Sequence, residues 1–298
     1  MNTTDKQVIC FGEILWDVFP DKKVIGGAPL NVAARLRSFG VEAGIISRVG
    51  NDPNGEAALQ HLSAMGLPLD WIDKHAQLPT GTVSVTLDEH GSASYEINKP
   101  VAWDAIAVTS ELVAMVRDTP FFLFGSLAVR GAMNRQTLQE LLNVTPFAIF
   151  DVNLRPPHFD VSMVYELMQY AQCIKLNDEE LEEICLRLGC EASGMRSQIN
   201  WLAAVTGTST ICVTRGADGA LLLVDGVFYE HAGFTVKVRD TVGAGDSFLA
   251  TLINELLLKK TSPDLALSRA CAVGSLVASM DGANCPVGWD EVEHIMTQ

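Results

Sequence analysis

The stretch Asp240-Thr-Val-Gly-Ala-Gly-Asp-Ser-Phe248 runs directly into the apolar segment Leu249-Ala-Thr-Leu-Ile-Asn-Glu-Leu-Leu257. Two glycines at the mouth of a helix let successive N–H groups converge on one point, and the helix dipole adds to them, so the passage reads as an anion hole. Asp246 lies in the same turn, placed to accept a proton from a hydroxyl that attacks a phosphoryl group held there. The plainer reading of the same residues is a tight turn with a first-turn acid stabilising the helix. The motif lacks the lysine of GxxxxGK[ST] and the third glycine of GxGxxG. It is therefore neither a P-loop nor a dinucleotide fingerprint.

Outward from this turn the chain alternates short apolar runs with amphipathic segments. Runs at 8–11, 42–49, 121–124, 147–151, 173–176 and 211–214 read as buried parallel strands. Helices are expected over 30–39, 54–65, 134–143, 161–171, 178–188, 194–205, 244–258 and 263–280, with a short one after Asp290. This alternation predicts an α/β fold: a mostly parallel central sheet with helices on both faces. A late β-run is expected at 220–224, 227–230 and 235–238. The segments 71–75, 82–87 and 93–97 alternate polar and apolar residues, with a hairpin turn at 88–91. Such half-polar strands do not suit a doubly covered sheet. With a strand over 14–25 they are expected to form a separate small β-layer (14–25 and 68–103), leaving 1–13, 26–67 and 104–298 as the core.

Composition excludes several classes of function. The 298 residues carry 36 acidic against 21 basic side chains, a formal charge of −15. No basic stripe is available to neutralise nucleic-acid phosphates or an anionic membrane. The longest apolar stretch, 121–129, is well short of the roughly 20 residues of a bilayer span. The opening residues MNTTDKQVICFGE lack a basic region followed by a hydrophobic run, and the expectation is a cytoplasmic protein. Seven scattered cysteines without a CxxC read as reduced, packed thiols. The six histidines form no HExxH, and no GxSxG occurs.

Two further groups of residues carry chemistry. Gly26-Gly-Ala-Pro-Leu-Asn31 again sets glycines at a helix mouth, where Gly27 permits close backbone approach and Asn31 offers both donor and acceptor to hydroxyls. Asp17 stands just beyond the first strand's carboxyl end, the ligand side of open α/β sheets. Together they point to a polyol pocket. Trp16, Phe19 and Trp103 flank it, either to stack on a ring or simply to pack. The polar strand ends Asp151-Val-Asn-Leu-Arg155, Asn177-Asp-Glu-Glu180 and Thr214-Arg-Gly-Ala-Asp-Gly219 look like one edge of a nucleotide cleft. Asn177 and Glu180 are placed to hold Mg²⁺ through waters. The alternative for the acids after Asn177 is an ordinary acidic first turn.

The segments GGAPLNVAARLRSFG and DTVGAGDSF, with NDEE and TRGADG between them, resemble the ribokinase-like (PfkB) carbohydrate kinases, in order and over essentially the whole chain. GEILWDVFP, GGAPLNVA and DVNLR are most similar to the fructokinase branch. The resemblance implies transfer of the γ-phosphoryl of Mg-ATP to a primary hydroxyl of a hexose, fructose first. The alternatives are 2-keto-3-deoxygluconate, ribose or another sugar, or a non-catalytic sugar-binding regulator on the same fold. It makes Asp246 the general base and the N–H groups of Gly243, Ala244, Gly245 and Asp246 the anion hole. Asp17, Gly27 and Asn31 would bind sugar hydroxyls, and Arg155 would reach substrate or phosphates. Asn177 and Glu180 would match a motif tied to Mg²⁺ and phosphates. Thr214, Gly216 and Gly219 would line the nucleotide site, with Ala283 and Asn284 near the adenine. Many relatives bind a monovalent cation such as K⁺ through carbonyls around Asp240 and Val242 and a late loop. Here Pro286 falls where a hydroxyl residue is common in that loop. The small β-layer would be a lid, whose apolar face and free edges suit a homodimer.

Overall fold

The computed structural model describes residues 7–87 and 93–297. The protein is an α/β fold with a mostly parallel sheet flanked by helices, and a second, smaller sheet. The chain forms two compact units, Met1–Phe122 with Ala128–Pro146, and Leu123–Leu127 with Phe147–Gln298.

In the first unit, strand β1 (Val8–Phe11) is buried along its whole length and pairs in parallel with β4 (Ala43–Gly50). A continuous apolar run suits a strand covered on both faces. Strands β2 (Leu15–Val18) and β3 (Lys23–Gly26) follow β1, so the segment at 14–25 is a hairpin of two strands rather than one. Helix α1 (Ala28–Ser38) begins two residues ahead of the expected start, because Pro29 occupies its first turn, where a fixed φ and a missing N–H cost nothing. Helix α2 (Pro53–Ala64) opens on Asp52, whose Oδ1 accepts from Gly55 N at 2.7 Å.

Strand β5 (Ile72–His75) corrects the expected grouping of 71–97. It pairs in parallel with β4, as an edge strand of the larger sheet. Only Ile72 is buried while Asp73 and Lys74 face solvent, which an edge position permits and an interior one forbids. The remaining strands, β6 (Gly81–Leu87) and β7 (Ala93–Ile97), complete a four-stranded sheet in the order β3-β2-β6-β7. The turn expected at 88–91 lies outside the described residues. Helix α3 (Ser110–Asp118) was not apparent in the sequence pattern. It has nine residues and three buried positions, and is fixed by its Thr109 cap, which accepts from Leu112 N. Strand β8 (Phe121–Gly125) passes from this unit into the second at Leu123, and helix α4 (Ala132–Leu142) returns to the first.

The second unit carries β9 (Ala148–Asp151), β10 (Cys173–Asn177) and β11 (Thr210–Thr214) in parallel, then β12 (Ala220–Val224) and β13 (Val227–His231) antiparallel. Helices α5 (Val161–Met168), α6 (Asp178–Arg187) and α7 (Met195–Thr206) lie between the parallel strands. Helix α8 (Ala244–Leu252) continues as a π-helical segment, Ile253–Leu258, and α9 (Pro263–Ala278) and α10 (Trp289–Met296) complete the unit. The strand expected at 235–238 does not form. Gly233 takes a left-handed φ of 81° and turns the chain out of the sheet, and 234–238 becomes the wall of a cavity. Five of the seven cysteines are buried, in the apolar segments that surround them.

Candidate active site

The turn quoted at the outset is the N-terminus of α8. Gly243 is its N-cap, in the left-handed conformation (φ 76°, ψ 0°), and no side chain caps the helix. Within the turn Ala244 N donates to Thr241 O and Ser247 N to Gly243 O. A helix start without a side-chain cap presents its remaining donors, with the positive end of the dipole, to whatever anion arrives. Asp246 sits half-buried in this first turn.

Directly against the turn lies a side chain the sequence pattern did not single out. Lys175, in the middle of β10, is buried, and its Nζ donates to Asp151 Oδ1 at 3.0 Å. Nζ stands 3.5 Å from the position a Cβ on Gly245 would take, which places the ammonium beside the backbone that starts α8. Burial works against its charge, but the carboxylates of Asp151, Glu180 and Asp246 outweigh that and hold the ammonium firmly protonated. The signal in the sequence was a lone lysine in the apolar run Cys173-Ile-Lys-Leu-Asn177.

Asn177 and Glu180 form a capping box at the start of α6. Asn177 Oδ1 accepts from Glu180 N at 2.7 Å, and Glu180 Oε2 accepts from Asn177 N at 2.9 Å. Glu180 Oε1 accepts from Leu154 N at 2.7 Å. Its burial raises the carboxyl pKa, opposed by Lys175 and these N–H donors. Each oxygen is thus already bonded, and Glu180 ties the DVNLR loop to α6. Arg155, in that loop, is exposed and donates to Leu154 O at 2.9 Å.

A cavity of about 530 Å³ opens beside the α8 turn, within the usual range for small-molecule sites. Asn177, Thr214, Gly216 and Gly219 line it together with Ala244 and Gly245, so these sequence-predicted residues converge on one space. Gly219 is required there. Its φ is 79°, and a Cβ would stand 2.0 Å from His231 O. Phe234, Val236 and Val238, from the segment where a strand was expected over 235–238, supply an apolar wall with Ala278 of α9. Ala283 and Asn284 do not line the cavity. Ala283 is buried against Gly243, where a Cβ on the glycine would lie 2.2 Å from its own Cβ, and Asn284 occupies the adjoining turn.

Asp240 clamps the two loops here, Oδ1 accepting from Val242 N at 3.0 Å and Oδ2 from Gly282 N at 3.1 Å. Val242 itself is exposed. Among the described residues no three His, Cys, Asp or Glu side chains gather as a metal site. A divalent ion would therefore rest on phosphate oxygens and water with one or two carboxylates, the usual mode for Mg²⁺. Asp178 and Glu179 are carboxylates that line the cavity. An open cavity with glycines where backbone must approach closely, beside a helix start and a buried cation, fits a nucleoside polyphosphate.

In the first unit the other predicted residues gather around the start of α1. Gly27 is its N-cap with φ 122°, and a Cβ there would lie 2.2 Å from Glu13 O. Asp17, on β2, holds its Oδ2 2.9 Å from where a Cβ of Gly26 would be. Asn31 is buried in the first turn of α1. Glu13 belongs to the same cluster, Oε1 accepting from Ala28 N at 3.3 Å, and was not foreseen. Trp16 and Trp103 are packing residues. Trp16 donates to Asn54 O and meets His61 edge-on, and Trp103 is fully buried beneath the Arg130 guanidinium.

Residues 3–288 match the profile of the pfkB family carbohydrate kinases. A fructokinase of Klebsiella pneumoniae is 28% identical over 302 residues, covering 91% of this chain and 93% of its own. Among solved structures, fructokinase from Vibrio cholerae in a fructose-, ADP- and calcium-bound form superposes with a TM-score of 0.83 at 23% identity, covering 98% of this chain and 99% of its own. The 2-dehydro-3-deoxygluconokinase of Thermotoga maritima superposes with a TM-score of 0.85 at 20% identity, covering 98% of each.

Proposed function

The chain belongs to the pfkB family of carbohydrate kinases, and within that family of phosphotransferases acting on an alcohol group we propose that it is an ATP-dependent fructokinase. The observation that carries the kinase reading is the uncapped start of α8, with Asp246 in its first turn, opening onto a cavity of about 530 Å³ lined by Thr214, Gly216 and Gly219. Fructose as acceptor is supported by the fructokinase relatives and by the GEILWDVFP and DVNLR segments.

In this reading Mg-ATP brings the phosphoryl donor and neutralises part of its charge. The protein does the rest by position. The cavity holds the nucleotide, and Gly216 and Gly219 let backbone approach it. The N–H groups at the start of α8 that are not taken up within the turn, as that of Ala244 is by Thr241 O, receive the phosphoryl oxygens. Asp17, Gly27 and Asn31 hold the sugar hydroxyls, and the four-stranded sheet serves as a lid over that cluster. Asp246 accepts the proton of the attacking hydroxyl. The Glu180 bond to Leu154 N holds the DVNLR loop, and with it Arg155, in place.

The test is ADP release from Mg-ATP across a panel of sugars, with wild type and Asp246→Asn. Fructose is expected to be the best acceptor, and the variant to lose at least about 100-fold in kcat, the scale of a general base, while still binding sugar. Full turnover by the variant overturns the role of Asp246. Preference for 2-keto-3-deoxygluconate or ribose overturns fructose and leaves the kinase standing.

A further inference from the structure

Lys175 is flanked in β10 by Ile174 and Leu176, both fully buried. A charge in such a strand persists only where fixed groups compensate it. Asp151 compensates it in part, accepting one hydrogen bond at 3.0 Å. That is the one hydrogen bond the ammonium makes among the described residues, leaving two of its three N–H donors without a protein acceptor. Asp151 Oδ2 is also buried and without a hydrogen-bond partner. The incomplete pair lies against Gly245, in the turn that opens onto the cavity. A side chain 8% exposed, with spare donors at a helix start, is built to receive an anion.

We propose that Lys175 is a catalytic residue of the phosphoryl-transfer site, its ammonium anchored by Asp151 and donating to the oxygens of the transferred phosphoryl group beside Gly245. The inference rests on the kinase reading above. In the transfer, the bond from the sugar oxygen to phosphorus forms as the bond from phosphorus to the departing nucleoside diphosphate breaks, and the hydroxyl proton passes to Asp246. Lys175 gives up no proton. It offsets the negative charge on the phosphoryl oxygens, a stabilisation that water would supply far less well. The rival account is that Lys175 only neutralises Asp151 within the fold.

The double variant Lys175→Met/Asp151→Asn separates the two, because it removes both charges together and leaves no uncompensated carboxylate. Calorimetric titration without sugar, using Mg-ATP and then Mg-ADP, reads the contact with the terminal phosphoryl group independently of turnover. The expected result is a loss of roughly tenfold or more in ATP affinity, the scale of one charge-assisted hydrogen bond, with ADP affinity changed by less than about threefold. With the best acceptor, kcat is expected to fall roughly 100-fold, with little change in KM for the sugar. Should the double variant fail to fold, Lys175→Gln, which keeps a donor for Asp151 but no charge, is expected to show the same selective loss for ATP. An unchanged preference for ATP over ADP in a folded variant overturns the proposal. If wild type phosphorylates no acceptor, the kinase reading fails, and the ATP–ADP comparison still decides the contact.

Discussion

Gly243 and Gly245 stand two residues apart in one turn and do different jobs. Gly243 sits at φ 76° with Ala283 pressed against it, so an alanine is strained in backbone and in space. Gly243→Ala is expected to lower stability by about 2 kcal/mol or more, read as a fall in Tm. At Gly245 the nearest atom to an added Cβ is Lys175 Nζ at 3.5 Å, an ordinary contact. Gly245→Ala is expected to melt with wild type yet lose roughly tenfold or more in kcat, since it would crowd the proposed phosphoryl site. Equal Tm losses in the two variants would contradict this division. The contrast also shows what sequence reading can reach. The GAG turn was readable because its chemistry is local, a matter of residue types at fixed spacing. Lys175 was not, because the role proposed for it rests on burial beside Asp151, 24 positions away in the chain.

Among the elements, the extension of α8 is the one most dependent on charge. Its π-helical segment, Ile253–Leu258, carries Glu255 with no exposure to solvent. Lys259, Arg269, Thr261 and Asn254 all donate to that carboxylate, joining the segment to α9, and Arg269 continues to Glu293 on α10. Burial pushes the Glu255 pKa up, but the bonds from Lys259 and Arg269 prevail and hold it below the ordinary carboxylate value. A carboxyl depressed in the folded state adds stability above its unfolded pKa and loses it as pH falls through the folded one. Glu255→Gln is therefore expected to cost about 3 kcal/mol at neutral pH and to flatten the acid limb of a Tm-against-pH curve. A variant as stable as wild type at pH 7, with the same acid limb, would show the network to be incidental. The two strand readings that failed both rested on local alternation. Partner strands decide where 72–75 pairs and whether 235–238 pairs at all, and period-two alternation carries no information about partners. The long alternating pattern of buried strands and helices did carry the fold class, because burial on both faces leaves a mark on every residue.

For the molecule as a whole, a formal charge of −15 must coexist with the proposed polyanionic ligand. The proposed phosphate receptor accordingly relies on backbone donors and one buried lysine rather than on a basic surface. Buried charges are little screened by salt, unlike exposed ones. Raising NaCl from about 50 to 300 mM is expected to weaken Mg-ATP binding by less than about threefold, measured by the same titration. A steep loss with salt would point instead to surface cations. The absence of a basic stripe, which spoke against nucleic acid, thus says little about nucleotides.

The division into two compact units has a historical consequence. The residues proposed to choose the sugar, Asp17, Gly27 and Asn31, belong wholly to the first unit, and those proposed to handle phosphate belong wholly to the second. Mutational drift in one set leaves the internal contacts of the other untouched. A lineage built this way can exchange its acceptor while inheriting its phosphate chemistry unaltered. Proteins named for acceptors as unlike as fructose and 2-dehydro-3-deoxygluconate share this architecture.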